Sequence, residues 1–170
     1  MPLSNQSAYR ITSVQPTRGL YQTAYSAKRN AVFATSAVGR PPVRQSELLR
    51  LNADTLAVEA RVTPAAAPGR TGRDGQPQDG GVFAVYGVGV DDANDTVWVS
   101  NSRQNTVAVY RQSDLSLVRQ FEPGTVNHAR DVVIDEEHGK AYASATFEPE
   151  VVVFDTAALT VAKRIKIDST

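Results

Sequence analysis

The 170-residue sequence predicts an all-β fold, and three observations carry that reading. Segments recur at a fixed spacing of 44 residues, so that Val97-Trp98-Val99-Ser100 returns as Ala141-Tyr142-Ala143-Ser144. Within each recurrence, apolar and β-branched residues alternate or cluster in short runs bounded by Asp, Asn, Gly and Ser, which is a strand pattern and not a helical one. A third, looser copy precedes the two regular ones. Four short antiparallel strands per unit of roughly 44 residues is the signature of a β-propeller blade. The expected fold is therefore a partial β-propeller of three four-stranded antiparallel blades plus an N-terminal strand.

That leading strand is expected at residues 9–14. The first blade copy, residues 19–62, opens on Gly19-Leu20-Tyr21-Gln22-Thr23-Ala24-Tyr25-Ser26 and continues through Ala31-Val32-Phe33-Ala34-Thr35-Ser36. Phe33 to Leu56 is 23 residues, whereas the matching interval from Trp98 to Leu115 is 17, so one hairpin holds six extra residues, placed at 37–46. The second copy, residues 82–121, reads as strands at 83–90, 96–101, 106–111 and 116–121, with Asp91-Asp92-Ala93-Asn94-Asp95 as its first turn. The third copy, residues 129–167, repeats the order with strands at 131–135, 140–145, 151–155 and 160–167. Val107-Ala108-Val109-Tyr110 maps onto Val151-Val152-Val153-Phe154, and Leu115 onto Leu159. Phe33, Trp98 and Tyr142 occupy equivalent strand positions and are assigned to packing between blades.

Composition sets limits. Hydrophobic residues are 41% and charged residues 21%, a globular balance. Lys plus Arg and Asp plus Glu both total 18, which argues against a surface given wholly to nucleic acid or anionic lipid. With no cysteine, disulfides, thiol catalysis and Cys-ligated metal centres are excluded. Apolar runs as short as Val151-Val152-Val153-Phe154 predict no membrane span. The residues after Met1 show neither the basic start nor the apolar core of a signal peptide.

Trp98-Val99-Ser100-Asn101 followed by Asn105-Thr106-Val107-Ala108-Val109-Tyr110 resembles the YVTN repeat of seven-bladed propellers, and the whole arrangement is similar to the YncE-like members. Val153-Phe154-Asp155-Thr156 matches the family's Val-Ile-Asp-Thr element, while Arg111 departs from it, standing where the family has Asp. The resemblance implies a seven-bladed ring, of which three blades form the N-terminal part, and a periplasmic or secreted setting with a leader outside this sequence. It also implies two sources for the missing blades: a longer chain, or a second copy that closes on the first.

Alternating connections put the loops between second and third strands on the same face as the blade-to-blade connections. Both insertions of the first copy, 37–46 and 63–80, fall there, the second a Gly- and Pro-rich segment read as a mobile surface loop. That loop face collects Arg40, Arg44, Arg70, Arg73, Arg103 and Arg130, with Tyr21, Tyr86 and His128 at the strand entries facing a central funnel. These nine residues are the candidate ligand-binding set. Arginines beside aromatic platforms suit an anionic polymer or single-stranded nucleic acid. Glu47, Asp74, Asp79, Glu122, Glu148 and Glu150 lie on the same face and offset the charge, which leaves a solvated mixed rim as the competing reading.

No nucleophile elbow, P-loop, EF-hand or paired-carboxylate motif is present, so no catalytic residue, cofactor or metal site is expected. His138, behind Asp135-Glu136-Glu137, belongs to a solvated hairpin. The expected role is a non-catalytic binding scaffold for a ligand or protein partner. The alternative is a propeller enzyme, either a sugar-lactone hydrolase or an electron-transfer subunit. An incomplete arc makes its own prediction: light scattering behind a sizing column shows a discrete dimer if two arcs close, and aggregates or an expanded monomer if the chain is a fragment.

Overall fold

The computed structural model describes residues 11–168. Three four-stranded antiparallel sheets, each a simple meander, account for most of it. The first sheet is β1 (Leu20–Ser26), β2 (Ala31–Val38), β3 (Gln45–Asn52) and β4 (Val58–Val62). A two-stranded hairpin, β5 (Arg70–Thr71) and β6 (Pro77–Gln78), follows. The second sheet is β7 (Val88–Asp91), β8 (Thr96–Asn101), β9 (Thr106–Arg111) and β10 (Leu117–Gln120), with a 3₁₀ turn at Ser102–Gln104. The third is β11 (Ala129–Asp135), β12 (Lys140–Ala145), β13 (Glu150–Asp155) and β14 (Thr160–Lys166).

The repeat is written into the backbone of the outer hairpins. Leu56, Leu115 and Leu159 all take left-handed conformations, with φ of 58°, 59° and 54°. Each donates its N–H to the carbonyl four residues earlier, at 2.8, 3.0 and 3.0 Å. A left-handed leucine costs roughly 1–2 kcal/mol, so local bonds must hold the turn. Asn52 Oδ1 accepts the N–H groups of Asp54 and Thr55, both at 3.0 Å, and Asp155 Oδ1 does the same for Ala157 and Ala158. Arg111, at the equivalent position, has no side-chain acceptor to offer. There Asp114 Oδ1 takes the Ser116 N–H at 2.9 Å, and Leu115 is fully buried.

The cores lie between sheets. Phe33 and Leu48 of the first sheet pack with Val97, Val99, Ala108 and Tyr110 of the second. Trp98, Val107 and Val109 on the second sheet's other face pack with Val132, Val152 and Phe154 of the third. Phe33 and Trp98 are fully buried at these two junctions, where Trp98 stacks on Phe121 at 6.0 Å and meets Phe154 at a tilt at 5.6 Å, the two phenyl rings themselves edge to face at 4.8 Å. Tyr142, their equivalent on the third sheet, is only half-buried, since among the described residues no further sheet packs on its face.

Polar bonds stitch the opposite face. Gln112 is fully buried and donates to the Asp91 and Thr96 carbonyls and to Asp92 Oδ1. Burial pushes the Asp92 carboxyl up, but bonds from Ser26, the Lys28 backbone and Gln112 outweigh that and leave it below the ordinary value. The Asp91–Asp95 segment thus does turn and inter-sheet work, with Asn94 N and Nδ2 on the Asp91 carboxylate and Arg29 gripping Asp95 at 2.6 Å.

Four expectations need correction. Of the leading strand at 9–14, residues 11–14 form no strand, and the rest falls outside the described residues. The expected strand at 83–90 begins only at Val88: Asn101 Nδ2 takes the Phe83 and Ala84 carbonyls, so this stretch is held by a side chain before it joins the ladder. The insertion at 37–46 is partly strand, because β2 and β3 extend to Val38 and from Gln45, leaving a loop of 39–44. The segment at 63–80 is no structureless loop. It carries the β5–β6 hairpin, Ala67 N–H bonds to the Gly81 carbonyl, and Val82 N–H bonds to the Val43 carbonyl.

The second and third sheets approach most closely through glycine. A Cβ on Gly89 would stand 2.7 Å from the Val132 carbonyl oxygen, whereas Val133, its equivalent one repeat later, is 59% exposed. Gly89→Ala therefore loses about 1–3 kcal/mol of stability in urea unfolding, while Val133→Ala stays within about 0.5 kcal/mol. Leu115→Ala, which empties a buried site, costs about 2–5 kcal/mol in the same measurement.

Candidate functional site

The first strands of the three sheets converge. Gln22 on β1 accepts the Val88 N–H through Oε1 at 3.2 Å and donates through Nε2 to Asp131 Oδ1 at 3.1 Å, so one side chain touches all three first strands. At their loop-face end lies a cavity of about 120 Å³ lined by Tyr21, Tyr86, Ser102, Arg103, His128 and Arg130. Five of the nine sequence-predicted residues therefore meet in one place.

Each wall has a local cause. The Tyr21 and Tyr86 rings pack edge to face at 5.3 Å, and the Arg130 guanidinium sits 5.9 Å from the Tyr21 centroid, within cation–π range. Thr35 Oγ1 donates to the Tyr86 carbonyl, fixing that residue against β2. Ser100 Oγ donates to the Arg130 carbonyl at 3.1 Å, and Ser102 Oγ to the Ala129 carbonyl at 2.5 Å, so the second sheet holds the start of β11. His128 is left-handed, at φ 45°, and its N–H donates to Asn105 Oδ1 at 2.8 Å. Asn105 is itself left-handed, at φ 56°, a conformation that asparagine tolerates.

Sequence reasoning missed Asn101, Asn105 and Ser102 as positioning residues, although the first two were visible as polar punctuation around a strand. It also missed Phe147. That ring is 73% exposed and lies 4.5 Å from the His128 ring, at an interplanar angle of 35°. Nothing in the sequence signals it, because it sits in a hairpin loop of the third sheet.

The other four arginines do not join the cavity. Arg44 pairs with Asp79 at 3.1 Å. Arg70 shares a groove of about 260 Å³ with Arg103, walled by Pro41, Pro42, Pro68 and Pro123. Arg73 lies beyond it on the β5–β6 hairpin, and Arg40 is exposed in the 39–44 loop. The acids also separate. Glu47 takes Thr17 and Arg61, Glu150 takes Arg164, and Glu148 takes Asn127. Among the described residues, neither Arg103 nor Arg130 forms an ion pair with a carboxylate.

Charge at the cavity is legible in the histidine. Burial, and then the positive charges of Arg103 and Arg130, hold the His128 ring below its ordinary pKa. It is therefore neutral at pH 7, and the cavity's charge comes from two guanidiniums. His138 is engaged elsewhere, its Nδ1 2.8 Å from Asp135 Oδ2 in an exposed turn. No group of three His, Asp or Glu side chains converges on a metal-sized site among the described residues.

No family model matches the chain, and no curated protein matches it. Solved structures do. Hydrazine synthase of Kuenenia stuttgartiensis aligns with a TM-score of 0.67 at 14% identity, over 93% of this chain and 40% of that one. The WD40 repeats of RRP9 align with a TM-score of 0.63 at 7% identity, over 87% and 38%. The fold is that of β-propeller blades. The dihydro-heme d1 dehydrogenase NirN is a further match, with a TM-score of 0.60 at 16% identity, over 89% of this chain and 29% of that one. These blades thus span well under half the length of the structures they resemble. At such identities the likeness speaks for the fold alone.

A pH titration follows from the geometry. By NMR, His128 protonates below the reference of about 6.5, and Arg103→Gln or Arg130→Gln moves its midpoint upward. Because the unfolded chain binds this proton more readily, stability falls as pH drops below the unfolded value, and His128→Asn removes that share of acid sensitivity.

Proposed function

We propose that this chain is a non-catalytic β-propeller scaffold that captures an anionic ligand at the mouth of its central funnel. The observation that carries the reading is the pair Arg103 and Arg130, presented by two different blades to one cavity without carboxylate partners. Guanidinium groups in that arrangement are ready to exchange hydration water for the oxygens of an anion. Hydrogen bonds from Thr35, Ser100, Ser102 and Asn105 fix the backbone of the walls, which favours binding by keeping the ordering cost low.

The YVTN-like segments support a finer proposal, that the blades are YncE-like and belong to a seven-bladed ring in the bacterial envelope. Its remaining blades come from a longer chain or a second copy. A polyanion lying across the whole face, single-stranded nucleic acid included, has less support, because Arg44 is held by Asp79 and Arg40 and Arg73 stand apart from the cavity.

An enzymatic reading has one observation in its favour: a histidine that is neutral at pH 7 inside a cavity can accept a proton. Hydrazine synthase and NirN are named as enzymes, and the name belongs to those proteins. Unchanged turnover of sugar lactones after His128→Asn and Arg130→Gln would remove the hydrolase version.

Capture itself is tested by calorimetric titration with tripolyphosphate at low salt. Binding weakens as salt is raised, since exposed charges are screened. Arg103→Gln and Arg130→Gln each cost about tenfold in affinity, the worth of a charge-assisted hydrogen bond. Arg40→Gln and Arg73→Gln leave it unchanged. Equal losses at all four positions would make the site a diffuse charged rim.

A further inference from the structure

We propose that the funnel cavity selects a compact tetrahedral dianion, as in a phosphate monoester or sulfate, and that His128 takes up a proton as the anion arrives. The inference rests on the capture reading above and deepens it. Charge comes first. Two guanidiniums face the cavity, so a monocarboxylate leaves one of them unmatched and a dianion matches both. Size comes second, because about 120 Å³ holds a single oxyanion headgroup, so a longer anion such as tripolyphosphate seats one phosphate there and runs outward from it.

Shape is the third argument. The lining groups arrive from three blades: Tyr21 from β1, Tyr86 and Arg103 from the segments flanking β7 and β8, and His128 and Arg130 from the start of β11. Donors spread around a cavity suit oxygens disposed tetrahedrally better than the two coplanar oxygens of a carboxylate. Ser102 is not among those donors, since its hydroxyl already donates to the Ala129 carbonyl. The rest of a monoester has a path outward, for Arg103 also forms the wall of the proline-lined groove of about 260 Å³.

The proton follows from the surroundings of His128. Arg103 faces it from the 3₁₀ turn and Arg130 from its own segment, with Tyr21 and Tyr86 completing the cavity. Phe147 covers one side of the ring. Of the acids on flanking loops, Glu148 is engaged by Asn127, and Glu122 is exposed on the connection before β11. Burial opposes protonation of the ring most, and the two guanidiniums oppose it next. A bound dianion neutralises them and adds an acceptor, so the proton drawn from solvent becomes a third cationic contact.

The test is calorimetry of the chain with sodium sulfate across pH about 5.5 to 8.5, in pairs of buffers that differ in ionisation enthalpy. Sulfate keeps both charges over this range, so any pH dependence belongs to the protein. The expected result is affinity that rises about tenfold as pH falls, with proton uptake visible in the buffer dependence, and acetate at least about tenfold weaker. His128→Asn, chosen because asparagine accepts the left-handed backbone, binds sulfate with the high-pH affinity throughout. Should that variant melt early, the wild-type buffer dependence alone decides. Sulfate binding that ignores pH, or acetate binding as well as sulfate, overturns the dianion and proton inference while tripolyphosphate capture stands. Loss of both sulfate and tripolyphosphate binding overturns the capture reading with it.

Discussion

The close backbone approach of the second and third blades governs the rest of the molecule. Gly87 and Gly89 flank and enter β7, and a Cβ on either would stand within 2.6 or 2.7 Å of a β11 carbonyl oxygen. With no side chains there, β11 lies against β7 and β8, and Trp98 packs against Phe154 in the same junction. Arg130 and His128 stand where they do because Ser100, Ser102 and Asn105 then reach the backbone of residues 128–130. The hydrophobic junction and the polar cavity are two consequences of one steric fact.

A second constraint is the separation of charge. The sequence has no net charge, and its loop face mixes signs. In the folded chain the acids are drawn to partners on the outer strands and loops, with Glu47 beside Arg61 and Glu150 beside Arg164. Asp131, next in sequence to Arg130, is taken by Gln22 across the blade junction. Among the described residues, two guanidiniums remain at the cavity without an acid. An exposed ion pair adds little to stability, so the gain from this sorting lies in the local field it leaves.

Parts of this were legible beforehand. The 44-residue offset marked Trp98 as equivalent to Tyr142 and Leu115 to Leu159, and the two leucines of the second pair share a left-handed backbone. Residues 83–85 misled because their apolar run is indistinguishable from a strand, while they are held by side chains, the Asn101 amide on the Phe83 and Ala84 carbonyls and the Ser46 hydroxyl on the Val85 N–H. The 63–80 segment misled for the opposite reason. Its Gly and Pro content reads as irregular chain, yet Gly80 and Gly81 permit close contacts with the Pro68 and Val43 backbones that order it. Of the nine candidate residues, Tyr21, Tyr86, Arg103, His128 and Arg130 line one cavity, while Arg40, Arg44, Arg70 and Arg73 lie outside it.

What the sequence determined by itself was periodic: strand type, blade length, turn positions and the face on which long connections fall. Each depends on residues a few places apart, where side-chain alternation and turn chemistry act directly. Which arginines converge, which acids are occupied and where Phe147 lies were decided only by tertiary structure. These contacts join residues as distant as Tyr21 and Arg130, and their geometry comes from how closely one twisted sheet can approach the next. A one-dimensional pattern holds no measure of that distance.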